Sequence, residues 1–213
     1  MIFFELLPKS KNVVSDLKEL GLDESFQRYV GTHAYSRDAG MRDPQFEEDF
    51  RKRRLYGRIG QFFLKHPTRA LEVTVSRLDS AGRQRPRLGN FDRRTGFAEF
   101  TQSRNFAAWS GLKTRIFGEH GGRYLLYALS LGVLVTFVAF VRKASLPAGM
   151  PIAAGALAAM MLLELLVASF ADALDPERHF SLFSALTDLL LVCLVCLAAI
   201  PPRRDIEAIA TSR

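Results

Sequence analysis

Only two cysteines occur among 213 residues, and both, Cys193 and Cys196, lie inside an apolar run near the C-terminus. Their CxxC spacing has no second pair to complete a zinc site, and a thiol in apolar surroundings behaves as a small hydrophobic side chain. The four histidines, His33, His66, His120 and His179, show neither HxxxH nor HExxH spacing, so no metal site is legible and no cofactor is expected. The opening stretch, MIFFELLPKSK, lacks a basic segment ahead of its short apolar run, which Glu5 interrupts, and no small-residue cleavage site follows. That is not the pattern of a secretory signal. The polar portion is therefore expected either to stay cytoplasmic or to belong to the C-terminal part of a longer polytopic protein.

What the chain does have is long apolar runs. Residues 124–141 carry no charge, 150–171 are interrupted only by Glu164, and 180–200 only by Asp188. Eighteen residues of helix span about 27 Å, close to the hydrocarbon thickness of a bilayer. One soluble core does not readily hide three such helices within 80 residues. The expected fold class is mainly α: three transmembrane helices preceded by a mostly helical juxtamembrane domain, in a multi-pass protein of the cell membrane with a polar tail at 201–213.

The polar domain, 1–103, reads as short helices. Ser15 is placed to cap a turn ending at Gly21, and Asp23 to cap one ending at Gly31, where glycine tolerates the left-handed conformation. Asp43 as N-cap, Pro44 at the first helical position, acids at 47–49 and bases at 51–54 predict a helix from Pro44 to Tyr56. Two apolar-faced segments then meet at His66-Pro67, because the residue before proline is pushed out of helical geometry. The stretch from Asp79 to Phe100 is rich in Gly, Pro, Arg and Asn and reads as a loop. In 104–120, Phe106, Trp109, Leu112 or Lys113, and Ile116 share one side at helical spacing, which suits an amphipathic helix lying in the headgroup layer. Packing against the other polar helices is the alternative.

Residues 1–50 hold 6 Lys+Arg against 10 Asp+Glu, and residues 51–123 hold 17 against 5. Basic charge concentrated next to a membrane favours anionic headgroups or phosphate-bearing lipids. No zinc-finger, RRM or KH pattern accompanies it, so nucleic acid is not an expected partner. Positive-inside counting sets Arg104, Lys113, Arg115, Arg123 and Arg178 against Arg142, Lys143, Arg203, Arg204 and Arg213 and does not orient the chain. The second and third spans form a hairpin around DALDPERH, and Glu164 and Asp188 lie at similar depth, about two turns from it. Intramembrane acids are candidates for function because ionised carboxylates are costly there. With Arg178 and His179 at the hairpin mouth, Glu164 and Asp188 form the expected substrate-binding group, the basic pair suiting a phosphate. The plainer alternative has Glu164 bonded to a helix partner and Asp188 to Thr187 or Ser184.

The strings LKHPTRAL, RLGNFDRRTG, NFAAWSGLK and DPERHFSLFSALTDLL resemble, in that order, the C-terminal part of a family of bacterial polytopic membrane proteins of cell-surface glycan assembly. Members of that family are hexose transferases similar to the C-type glycosyltransferases that use lipid-linked sugars. The resemblance implies an extracytoplasmic polar domain, a lipid-phosphate sugar donor, inverting transfer, and further membrane helices of the same assembly as partners. It also implies a catalytic carboxylate in an early loop that this sequence does not contain, so the catalytic residues are unknown and the chain alone is expected to be inactive. His66, Pro67, Gly89, Asn90, Trp109, Ser110, Arg178, His179 and Asp188 match the strings without an assigned role. A non-enzymatic membrane subunit or scaffold, binding anionic lipid or a protein partner, is the alternative.

Overall fold

The computed structural model describes residues 2–33, 35–52, 55–81, 94, 96–97, 107–118, 120–170 and 176–201. Among them every regular element is helical. Eight α-helices follow short turns at the N-terminus: α1 (Val13–Leu20), α2 (Pro44–Lys52), α3 (Leu55–Lys65), α4 (Pro67–Ala81), α5 (Ala108–Phe117), α6 (Gly121–Val141), α7 (Gly149–Phe170) and α8 (Pro176–Ala199). The chain divides into two compact units, 1–77 with 169–176 and 78–168 with 177–213, the division falling within α4.

In the first unit, local chemistry fixes where the helices begin and end. The cap of α1 is Asn12, three residues before the expected Ser15: its side chain accepts the Ser15 backbone N–H at 3.0 Å, so Ser15 supplies the donor at the third helical position. Gly21 ends α1 in the left-handed conformation, φ 72°, and the N–H groups of Gly21 and Leu22 close on the carbonyls of Lys18 and Leu17. Asp23 caps as expected, but the element is a tight 3-10 turn, Glu24–Tyr29, which ends before Gly31. Asp43 accepts the Gln45 N–H at 2.9 Å at the start of α2. Over the stretch expected as one helix, Pro44–Tyr56, the described residues are helical on both sides, Pro44–Lys52 in α2 and from Leu55 in α3, with residues 53–54 outside the description. The break at His66-Pro67 falls where the proline demands it.

Leu17, Leu20, Phe26 and Leu55 are fully buried at the centre of this unit, with Phe3, Phe46 and Phe62 around them. Phe46 meets Phe3 and Phe26 at ring separations of 5.2 and 5.6 Å. Polar ties close its periphery. Arg28 and the Tyr29 hydroxyl both donate to Asp43 at 2.8 Å, and Arg69 donates to Asp16 at 2.6 Å and to the Leu6 carbonyl at 3.2 Å.

The second unit contains three helices long and apolar enough to cross a membrane, Gly121–Val141, Gly149–Phe170 and His179–Ala199. Each buries one stripe at three- and four-residue intervals: Tyr124, Ala128, Leu131, Val135 and Ala139 on α6; Ala154, Ala158, Met161, Leu165 and Ala168 on α7; Phe180, Phe183, Thr187 and Leu190 on α8. Small residues let the backbones approach, and a Cβ on Gly132 would already touch the Met161 methyl at 3.4 Å. Tyr124 packs on Phe183 near the starts of α6 and α8, at 5.6 Å between rings. Arg142, just past α6, donates to the carbonyls of Leu197 and Ile200 at the end of α8. The two helices therefore run the same way, with α7 returning between them in sequence.

Helix ends in this unit receive the charges their dipoles favour. Asp79 accepts the Gly121 N–H at 2.5 Å where α6 begins, and the Arg142 cation covers the last carbonyls of α8. Asp79 was expected to open a loop, but α4 continues through it to Ala81. The rest of that expected loop, with Gly89 and Asn90, lies largely outside the described residues.

Candidate functional site

The most developed polar cluster in the second unit joins α5 to the middle of α8. Lys113 Nζ donates to Asp188 Oδ2 at 2.7 Å and to Ser184 Oγ at 2.9 Å, and Trp109 Nε1–H donates to the same Asp188 oxygen at 3.0 Å. Helical periodicity builds this arrangement twice. Trp109 and Lys113 are four residues apart on α5, as are Ser184 and Asp188 on α8, so each pair projects from one face of its helix. Lys113 is 5% exposed and its ammonium lies 5.7 Å from the centre of the Trp109 ring. The indole itself is 43% exposed.

Asp188 Oδ1 is buried and meets no hydrogen-bond partner among the described residues. One carboxylate oxygen thus takes two donors, one of them from the half-exposed indole, while the other remains an unused acceptor. Thr114 and Arg115 are exposed on the outer side of α5, so the surroundings of the cluster are polar on that side. Phe117 completes the contact by packing on Tyr124 and Tyr127, both at 5.0 Å between rings.

This geometry answers why a transmembrane run contains an aspartate: a lysine from a preceding short helix neutralises it. Of the side expected to be apolar on α5, Lys113 turns inward, whereas Leu112 and Ile116 are exposed, and the side chain of Phe106 lies outside the described residues. Thr187, one of the two hydroxyls weighed as an Asp188 partner, bonds back to the Phe183 carbonyl at 2.9 Å, and Ser184, the other, accepts from Lys113 at 2.9 Å. Lys113 was thus placed by sequence reasoning only on a headgroup-facing side, and Ser184 was weighed only as a hydrogen-bonding neighbour of Asp188. The four-residue spacings from Trp109 and Asp188 were the available signal.

The other expected residues lie elsewhere in the chain. Glu164 is half-buried on α7, and among the described residues no hydrogen bond or ion pair joins it to Asp188. His179 is half-buried in the first turns of α8, and Arg178 precedes it in the same helix, its side chain outside the described residues. Ser110 donates to the Ala107 carbonyl at 3.1 Å at the start of α5. His66 belongs to the first unit, where its Nε2 lies 2.9 Å from Glu19 and its ring 4.6 Å from that of Phe62. The hydrogen bond from His66 holds the Glu19 carboxyl below its ordinary range, against a smaller opposing effect of burial.

Comparison with known families settles what this three-span arrangement is related to. A family model described as the YfdI N-terminal transmembrane domain matches residues 2–208. The chain belongs to that family. The match runs through both units, so the polar helices and the membrane helices are parts of one family module. Its description speaks of an N-terminal domain, whereas the sequence strings led to the expectation of a C-terminal part. No curated protein and no solved structure matches the chain. Family membership and the three apolar helices together make this an integral membrane protein.

Proposed function

We propose that the module serves cell-envelope glycan assembly as the membrane-embedded portion of a lipid-linked-sugar glycosyltransferase, and that the cluster of Trp109, Lys113, Ser184 and Asp188 binds the sugar of a lipid-phosphate donor. The observation that supports this reading is the unused, buried Asp188 Oδ1 next to a half-exposed indole. An aromatic face packs against the C–H face of a pyranose, and a carboxylate oxygen accepts strongly from its hydroxyls. The hydrogen bond from Lys113 fixes the position of the carboxylate, which suits binding. The sugar-transfer step itself is assigned to residues outside this cluster.

Trp109 is the only tryptophan of the chain, so its emission reports on the site directly. Full-length protein in nanodiscs, titrated with a polyprenyl-phosphate hexose, should show a saturable emission change that is lost in Asp188→Asn and absent with the polyprenyl phosphate alone. An identical response to the sugar-free lipid defeats the sugar-binding role. The two hydrogen bonds by which Lys113 ties α5 to α8 favour one other reading, a non-enzymatic scaffold in which the cluster only pins these helices together. That reading predicts no response to either lipid.

A further inference from the structure

We infer that the face of α7 carrying Glu164 docks another membrane helix, one that presents a lysine or arginine at the depth of this carboxylate. Glu164 lies six residues, about 9 Å of helix, before Phe170 and is the only charged residue of the long apolar helix α7. It is half-buried, and among the described residues it has no hydrogen bond or ion pair. The same protein shows what an acid at such depth requires. Asp188 is met by an ammonium and an indole N–H, both delivered by a helix outside the three spans.

The position of Glu164 points away from the contacts already made. At 100° per residue it borders the packed stripe of Met161, Leu165 and Ala168, on the flank it shares with Met160 and Val167, which are 56% and 47% exposed. The groove between α6 and α7, about 660 Å³ and lined on α7 by Ala158, Met161 and Leu162, lies on the opposite flank and is almost wholly apolar. The basic side chains bonded into the described bundle are engaged elsewhere, Lys113 with Asp188 and Arg142 with the end of α8. A cation dissolved in water does not penetrate to this depth, and acids inside membranes pair with partners of opposite charge on neighbouring helices. Charge complementarity therefore selects a basic residue on a membrane helix, with exposed Met160 and Val167 supplying the apolar contact around it.

The test uses the full chain in lipid vesicles and two synthetic transmembrane peptides of leucine and alanine, identical except for lysine or leucine at the depth of Glu164. Association is read by energy transfer. The lysine peptide should bind at least tenfold more tightly than the leucine peptide, and Glu164→Leu should abolish the preference while keeping the thermal midpoint of the chain, since it replaces an unpaired polar group with an apolar one. Equal binding of the two peptides to the natural protein, or a preference that survives Glu164→Leu, overturns the inference.

Discussion

Lys113 and Asp188, 75 residues apart in sequence, meet at 2.7 Å, and through them the short helix α5 is fastened to the middle of a membrane span. The pair is asymmetric. The lysine side chain is 6% exposed and the aspartate 31%, so the cation is the more fully desolvated partner. Its stability then depends on the aspartate more than the aspartate depends on it.

Removing one partner should consequently cost more than removing both. Asp188→Leu strands the buried ammonium and should lower stability by about 3 kcal/mol, near the lower end of what breaking a buried pair costs, because the pair is not fully dry. Lys113→Met combined with Asp188→Leu should recover most of that loss. Denaturant titration in detergent micelles measures both. A double variant as unstable as Asp188→Leu alone would mean that the pair stabilises the fold on its own account and does not merely neutralise itself.

The parts of this architecture set by local rules were legible before any coordinates. Run length and lack of charge located all three spans to within a few residues, and His66-Pro67 marked the α3–α4 break because proline acts on its immediate neighbours. The caps were less legible: Asn12 and Ser15 are both good capping residues three positions apart, and only the backbone decides which accepts. The candidate site was half legible. Asp188 stood out because a carboxylate is rare in lipid, and Trp109 because it matched a string. Lys113 was hidden by its amphipathic surroundings, since a lysine on a juxtamembrane helix ordinarily faces headgroups, and only tertiary packing turns this one inward. The similar depth of Glu164 and Asp188 could not reveal Lys113, because depth says nothing about which way a helix face points.

Arg142 should act as a cap for a helix that is not its own. Its guanidinium satisfies the carbonyls of Leu197 and Ile200, groups that would otherwise end in apolar surroundings without an intrahelical donor. Arg142→Met should destabilise the bundle by about 1–2 kcal/mol. Hydrogen exchange should show the loss concentrated in the last turn of α8, with the start of α6 unchanged. Lysine at position 142 should restore only part of the protection, because a point cation cannot bridge two carbonyls as a planar fork does.

The first unit should respond to acid through Glu19. Its carboxyl titrates below its ordinary value of 4.5, chiefly because of the hydrogen bond from His66. A carboxylate whose folded value is depressed contributes stability that is fully present above the unfolded value and disappears as pH falls through the folded one. The contribution of Glu19 should therefore be intact above about pH 4.5 and lost below it. Exchange protection of α1, read between pH 6 and pH 3, should fall with this titration, and Glu19→Gln should be less protected than the natural protein at pH 6 but closer to it at pH 3. The effect is modest because the Glu19 and His66 side chains remain 29% and 38% exposed, so solvent and salt screen the pair. A difference between the two proteins that stays constant across the range would assign the loss to altered packing around Phe62 rather than to the carboxylate.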